Sequence, residues 1–216
     1  MPKGMAWKVP ADYDQSVFIN CPFDETYLPL FRALTFAVFE CGLIPRCSQE
    51  AYDAGEVRIE KIARIIRDCR WGIHDISRTD LTARGLPRFN MPLELGLFLG
   101  AKRFGPDPHD RKSCLVLDRE TYRYQEFISD ISGQDIAAHG NDPGKAIKAV
   151  RDWLSISKAG IRRPPGAAAI SARYGRFTSE LPRICADAEL DVGELTFVEY
   201  ADIASTWLAR ELAGAS

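Results

Sequence analysis

Five short apolar runs, each separated from the next by a polar or helix-periodic stretch, constrain this chain more than any other feature. Ser16–Asn20, Leu43–Cys47, Trp71–Ser77, Ser113–Leu117 and Asp135–Ala138 read as strands. Between and after them, apolar residues recur at three- and four-residue spacing. Leu30, Phe31, Leu34, Val38 and Cys41 mark one helix, with Thr26 as its expected cap, Pro29 in its first turn and Gly42 as its stop. Ile59, Ile62, Ile65, Ile66 and Cys69 mark a second over Glu56–Cys69. A third carries Glu94, Glu120–Ile131 reads as a fourth, and Asp142–Ser157 is a fifth, with Ile147, Val150, Trp153 and Leu154 on its apolar face.

Strands alternating with helices imply right-handed crossovers and a mainly parallel sheet, because parallel neighbours need a helix-sized connection. The expected fold is α/β and flavodoxin-like: a doubly wound, mainly parallel five-stranded sheet in order 2-1-3-4-5. It occupies residues 15–160, after a leader of residues 1–14. Residues 161–216 hold a linker broken at Ile161–Ala168 and two helical segments, Ile170–Ala188 and Phe197–Leu212. Their apolar positions, among them Phe177, Leu181, Tyr200, Ile203 and Trp207, are too few for a core of their own. A helical hairpin is therefore expected, docked on the α/β domain or on a partner.

Composition excludes several classes. With 28 Lys and Arg against 30 Asp and Glu, the chain offers no electrostatic footprint for direct nucleic-acid binding. No stretch approaches the eighteen or so apolar residues of a membrane span, and the first residues lack a signal-peptide core. The six cysteines form no C-x-x-C pair, which suggests reduced, cytoplasmic thiols without disulfides. The three histidines are far apart, and no metal site is expected. Gly140–Ala146 fails the P-loop spacing, no G-x-G-x-x-G follows the first strand, and no G-x-S-x-G elbow exists.

Chemistry is expected where a doubly wound sheet changes direction, outside the carboxyl ends of the first and third strands. Asn20 ends the first strand and Asp75 closes the third, just before Ser77. The loop Pro22-Phe23-Asp24 leaves one side of this crevice, and Asn90-Met91-Pro92-Leu93-Glu94 enters a helix on the other. Glu94 stands alone as a charge in an apolar segment, Met91 to Ala101, that also contains Gly96 and Gly100. Glycine inside a helix costs roughly 1 kcal/mol relative to alanine, so close packing is expected there. A carboxylate in such surroundings tends towards a raised pKa or a specific partner.

These segments, Val17 to Asp24, Asp75-Ile76-Ser77 and Asn90 to Gly96, resemble bacterial TIR-like proteins and the related nucleoside 2-deoxyribosyltransferases. The similarity covers roughly residues 15–157, with Asn90-Met91-Pro92-Leu93 standing where TIR proteins carry a Ser/Cys-containing segment. The resemblance implies that Glu94 is the catalytic carboxylate, acting at the anomeric carbon of an N-glycosidic bond. It implies a nucleotide pocket lined by Asn20, Pro22, Phe23 and Asp24, with Asp75, Ser77, Asn90 and Met91 on the opposite wall. NAD is the expected substrate rather than a redox cofactor, no other cofactor is implied, and the setting is antiviral defence. Assembly as a homo-oligomer or with a defence-system partner is part of the same expectation. Two alternatives stay open: a nucleoside or nucleotide 2-deoxyribosyltransferase-like enzyme, and a non-catalytic nucleotide-sensing or assembly module with Glu94 salt-bridged or fully exposed.

Overall fold

A computed structural model describes residues 8–51, 53, 55–79, 85, 88–132, 135–157, 159 and 163–214. Most of the leader expected at residues 1–14, and part of the linker around 160–162, lie outside the described residues. The strands are β1 (Ser16–Asn20), β2 (Ile44–Arg46), β3 (Trp71–Asp75), β4 (Ser113–Asp118) and β5 (Ile136–Ala138). They form one parallel sheet in the order β2-β1-β3-β4-β5, as the alternating pattern predicts. The helices are α1 (Leu28–Glu40), α2 (Arg58–Asp68), α3 (Asn90–Phe104), α4 (Pro143–Ile156), α5 (Ala167–Asp187) and α6 (Phe197–Gly214).

Helices cover both faces of the sheet, so the central strands are buried throughout and read as continuous rather than alternating apolar runs. Val17, Ile19 and Ile73 point into the layer of α1 and α4, whereas Phe18 points into that of α2 and α3. Gly72, in β3, is required by close approach. A Cβ there would sit 2.8 Å from the Phe98 ring, which packs edge-on against His74.

The hairpin docks in cis. Phe177, Tyr200 and Trp207 belong to the same core as α1 and α4, and Phe36 of α1 lies 5.3 Å from Phe177 and 6.2 Å from Trp207, centroid to centroid. Tyr200 donates its hydroxyl to the Arg32 carbonyl, and Arg173 pairs with the buried Glu40 carboxylate. These contacts give the tail's aromatic residues an intramolecular role.

Three local readings change. Glu120–Ile131 is not one helix but two 3-10 turns, Arg123–Glu126 and Ser129–Ile131. Arg123 is pulled instead towards Asp118, Thr79 and the Ile76 carbonyl, which ties this connection to the strand ends. Thr26 does not cap α1; its hydroxyl donates to Asp24, and Asp24 accepts the Tyr27 amide. Gly96 and Gly100 are not pressed against anything, since an added Cβ would meet nothing within 4 Å. The side of α3 turned to the sheet is Met91, Glu94, Leu95 and Phe98.

Candidate active site

β1 and β3 are neighbours whose helices leave to opposite faces, so a crevice opens between their carboxyl ends. Asn20 pairs in register with His74 at that point. Its amide donates to the Met91 carbonyl at 2.9 Å and lies 3.1 Å from His74 Nδ1. Asn20 is buried, so these contacts satisfy a polar group that would otherwise be costly, and they tie the end of β1 to the first turn of α3. Because Asn20 donates, His74 Nδ1 accepts and the ring is neutral. Burial, reinforced by Lys112, pushes its pKa down to about 3.

Glu94 follows Met91 by one helical turn. It is 6% exposed, and among the described residues its carboxylate makes neither a hydrogen bond nor an ion pair. Burial raises its pKa to about 7, opposed by the field of Arg58 at the start of α2. A desolvated carboxylate with no protein partner is unusual, because native folds generally pair such groups.

Asp75 behaves differently. It leaves the sheet towards the α1 face, where Oδ2 accepts the Tyr27 hydroxyl at 2.6 Å and Oδ1 accepts the Ser77 amide at 2.8 Å. His139, directly after β5, brings Nε2 to 2.9 Å from Asp75 Oδ2, off the line of a good hydrogen bond. His139 Nδ1 accepts the Asn141 amide, which leaves the ring proton on Nε2, facing Asp75. All three side chains are buried. Asp75 thus organises the β1–α1 and β5–α4 connections, on the opposite face from Glu94.

The remaining expected site residues divide. Asn20, Met91 and Glu94 come together on the α3 side. Pro22 and Ser77 are buried, and Phe23 packs edge-on against Phe31 of α1. Asn90 is exposed, and it does not cap α3 with its side chain. Asp24 lies at the rim with Arg78 at 3.5 Å and Arg88 at 3.8 Å. Burial alone would raise the Asp24 pKa, but Thr26, Arg78, the Tyr27 amide and Arg88 together hold it below the ordinary range. Cys21, next after Asn20, marks where these charges converge. Burial pushes its thiol well up, and Asp75, Glu94 and Asp24 all add to the shift.

Sequence reasoning missed Tyr27, His139, Arg78 and Arg88. The signal for His139 was its position immediately past a strand, at the same sheet edge as Asp75. Among the described residues, no three His, Cys, Asp or Glu side chains gather as a metal site, and no helix is long and apolar enough to cross a membrane. The Gly140–Ala146 segment leaves no free amides for a phosphate, because the Asp142 carboxylate caps α4 through Gly144 and Lys145. A groove of about 950 Å3 runs elsewhere, beside β4 and β5, bordered by Leu99, Lys102, Lys148, Trp153 and Ile156. It does not include Glu94. Compared with known families and with curated proteins, the chain matches no family model and no curated protein.

Proposed function

We propose that this protein is a TIR-like nucleotide N-glycosidase that hydrolyses NAD at the bond between nicotinamide and ribose, with Glu94 as its catalytic carboxylate. The observation that carries this reading is the buried Glu94 side chain, unpartnered among the described residues, beside Asn20 at the switch point of the sheet. A desolvated anion there favours whatever positive charge arrives. The nicotinamide ring of NAD is a pyridinium, and departure of nicotinamide leaves an oxocarbenium-like ribosyl group. When the C1′–N bond breaks, its electron pair neutralises the pyridinium nitrogen, so the leaving group needs no proton. The Glu94 carboxylate stabilises the cation electrostatically or traps it at C1′, and water then completes hydrolysis, releasing a proton.

The salt-bridged or exposed Glu94 expected of a purely sensing module is not what the described contacts contain. A second enzymatic reading, transfer or hydrolysis of a deoxynucleoside, gains support from the pKa of about 7. At neutral pH a protonated Glu94 could deliver the proton that a neutral nucleobase leaving group requires. The TIR-like resemblance sets the NAD-cleaving enzyme among effectors of bacterial antiviral defence, working as an oligomer or with a partner protein. Separating free nicotinamide from free nucleobase after incubation with NAD or with deoxynucleosides distinguishes the two.

A further inference from the structure

The groove beside β4 and β5 has a sheet edge for its floor and a helix for each wall. β5 is the last strand of the sheet and pairs with β4 alone, from Val116 with Ile136 to Asp118 with Ala138. β4 starts earlier, at Ser113, and β5 does not reach back that far. That shortfall opens the groove to Cys114 and Leu115. Main-chain groups point to alternate sides along a strand. The Ser113 amide and the Leu117 carbonyl bond towards β3, whereas the Asp118 carbonyl accepts the His139 amide on the β5 side. By the same alternation Ala137 faces β4, and the N–H and C=O of Ile136 and Ala138 point outwards into the groove. Open edge groups of this kind pair readily with another extended chain.

The walls belong to helices on opposite faces of the sheet. α3 supplies Leu99 and Lys102, and α4 supplies Lys145, Lys148, Trp153 and Ile156, around a volume of about 950 Å3. Both helices start at the carboxyl edge. Lys145, in the first turn of α4, therefore stands at one end of the groove, and Lys102, late in α3, at the other. Neither lysine makes an ion pair or a hydrogen bond among the described residues. Asp152 is already held by Lys148 and Arg151, so Asp135 is the one bordering carboxylate left against two free ammonium groups. Ile156 and Tyr122 also border the groove, 82% and 67% exposed. Tyr122 holds φ at 64°, a left-handed conformation that costs a tyrosine energy. From Lys145 to Ile156 the helix runs about 16 Å at 1.5 Å per residue, which matches about five residues of extended chain.

We propose that this groove docks an extended acidic segment of a partner protein, which adds to β5 as a further strand. Main-chain bonds to Ile136 and Ala138 set its register. Alternate side chains reach the apolar surfaces of α3 and α4, and carboxylates at the two ends meet Lys102 and Lys145. A second copy of this chain fits poorly. Two copies meeting edge to edge would set the same lysines and the same projecting helices against each other. The groove lies apart from Glu94, so docking here does not depend on NAD cleavage.

The test follows the 15N-labelled full chain by NMR while the acetylated, amidated peptide Glu-Val-Thr-Val-Asp is added to millimolar concentration. The amides of Ile136 and Ala138 and the indole of Trp153 should shift most. Lys102→Glu and Lys145→Glu should each raise the Kd about threefold, as an exposed ion pair is worth, and together about tenfold. Both alter exposed side chains, and unchanged melting temperatures confirm their folds. A peptide with lysine at both ends should not bind. N-methylation of the central threonine, or of both valines, should abolish binding in one case and spare it in the other, because an added strand turns alternate amides towards β5. No shift at Ile136 and Ala138, or equal binding of the lysine-ended peptide, overturns the proposal. Equal binding of both N-methylated peptides rules out strand addition. Shifts of the same amides when the chain alone is diluted would assign the groove to a second copy and overturn the proposal as well.

Discussion

Asn20 and Met91 are joined by a 2.9 Å hydrogen bond from a buried side-chain amide to a main-chain carbonyl, and this bond fixes the helix of Glu94 against the end of β1. The two residues are seventy-one positions apart, so the contact sets the tertiary position of the turn that carries Glu94, not its helicity. Asn20→Leu removes the tether and leaves His74 Nδ1 without its donor. It should lower stability by about 1–3 kcal/mol and reduce NAD cleavage at least tenfold. Urea unfolding and initial rates check the two effects together, and wild-type rates in a folded Asn20→Leu protein would deny the tether its role.

Glu94 makes a stability prediction with a definite sign. Its folded pKa of about 7 lies above the ordinary 4.5, so between those values the folded state holds more protons than the unfolded chain. The contribution of Glu94 is fully present below about pH 4.5 and is lost as pH rises towards 7 and beyond. Glu94→Gln removes that loss. The variant should be more stable than wild type at pH 8, by on the order of 3 kcal/mol for a shift of this size, and no more stable at pH 4. Melting curves at the two pH values decide it; an equal effect at both contradicts the assigned burial.

The chemistry of Glu94 predicts a pH profile as well. Stabilising a ribosyl cation requires the carboxylate form, so NAD cleavage should rise with pH and level off above about 7. A neutral nucleobase leaving group, which needs a proton, should instead be released fastest below that value. Rates measured from pH 5 to pH 9 with both substrates distinguish the two reactions.

Asp75 is expected to govern folding more than turnover. Asp75→Ala strands the Tyr27 hydroxyl and the Ser77 amide in a dry site, and each buried donor left without its acceptor costs about 1–3 kcal/mol. Tyr27→Phe should cost less, about 1–2 kcal/mol, because Asp75 keeps the Ser77 amide. Denaturant midpoints for both variants test the order, and a Tyr27→Phe loss as large as that of Asp75→Ala would contradict it.

Gly96 and Gly100 are expected to be replaceable. An added Cβ meets nothing within 4 Å at either position, so alanine brings helix propensity without a clash. Each substitution should stabilise by about 0.5–1 kcal/mol, read as an upward shift in melting temperature. A destabilised Gly96→Ala protein would indicate that something packs on that face of α3 in solution.

Much of the architecture was legible because period and length carry it. The five apolar runs gave the parallel sheet and its order, and the breaks at Gly42 and Ile161–Ala168 separated the elements. What periodicity does not encode is which face a strand-end residue takes. Asn20 and Asp75 both end strands, yet one faces α3 and the other the Tyr27–His139 side, so residues that look like one wall are divided by the sheet. Glycine in a helix was equally ambiguous, since Gly96 and Gly100 lie in open space while Gly72 in β3 and Gly105 just past α3 are under steric demand. Long-range polar contacts, such as Arg123 to Thr79 and to the Ile76 carbonyl, leave no local pattern, and the expected helix over Glu120–Ile131 gave way to them.

The role of Glu94 is tested most directly by nicotinamide release from NAD by purified wild-type protein and by Glu94→Gln under identical conditions. Wild-type protein should release nicotinamide, and the Glu94→Gln protein should bind ADP-ribose with wild-type affinity while releasing nicotinamide at least a hundredfold more slowly. Release by Glu94→Gln at the wild-type rate would contradict the assignment of Glu94 as the catalytic carboxylate.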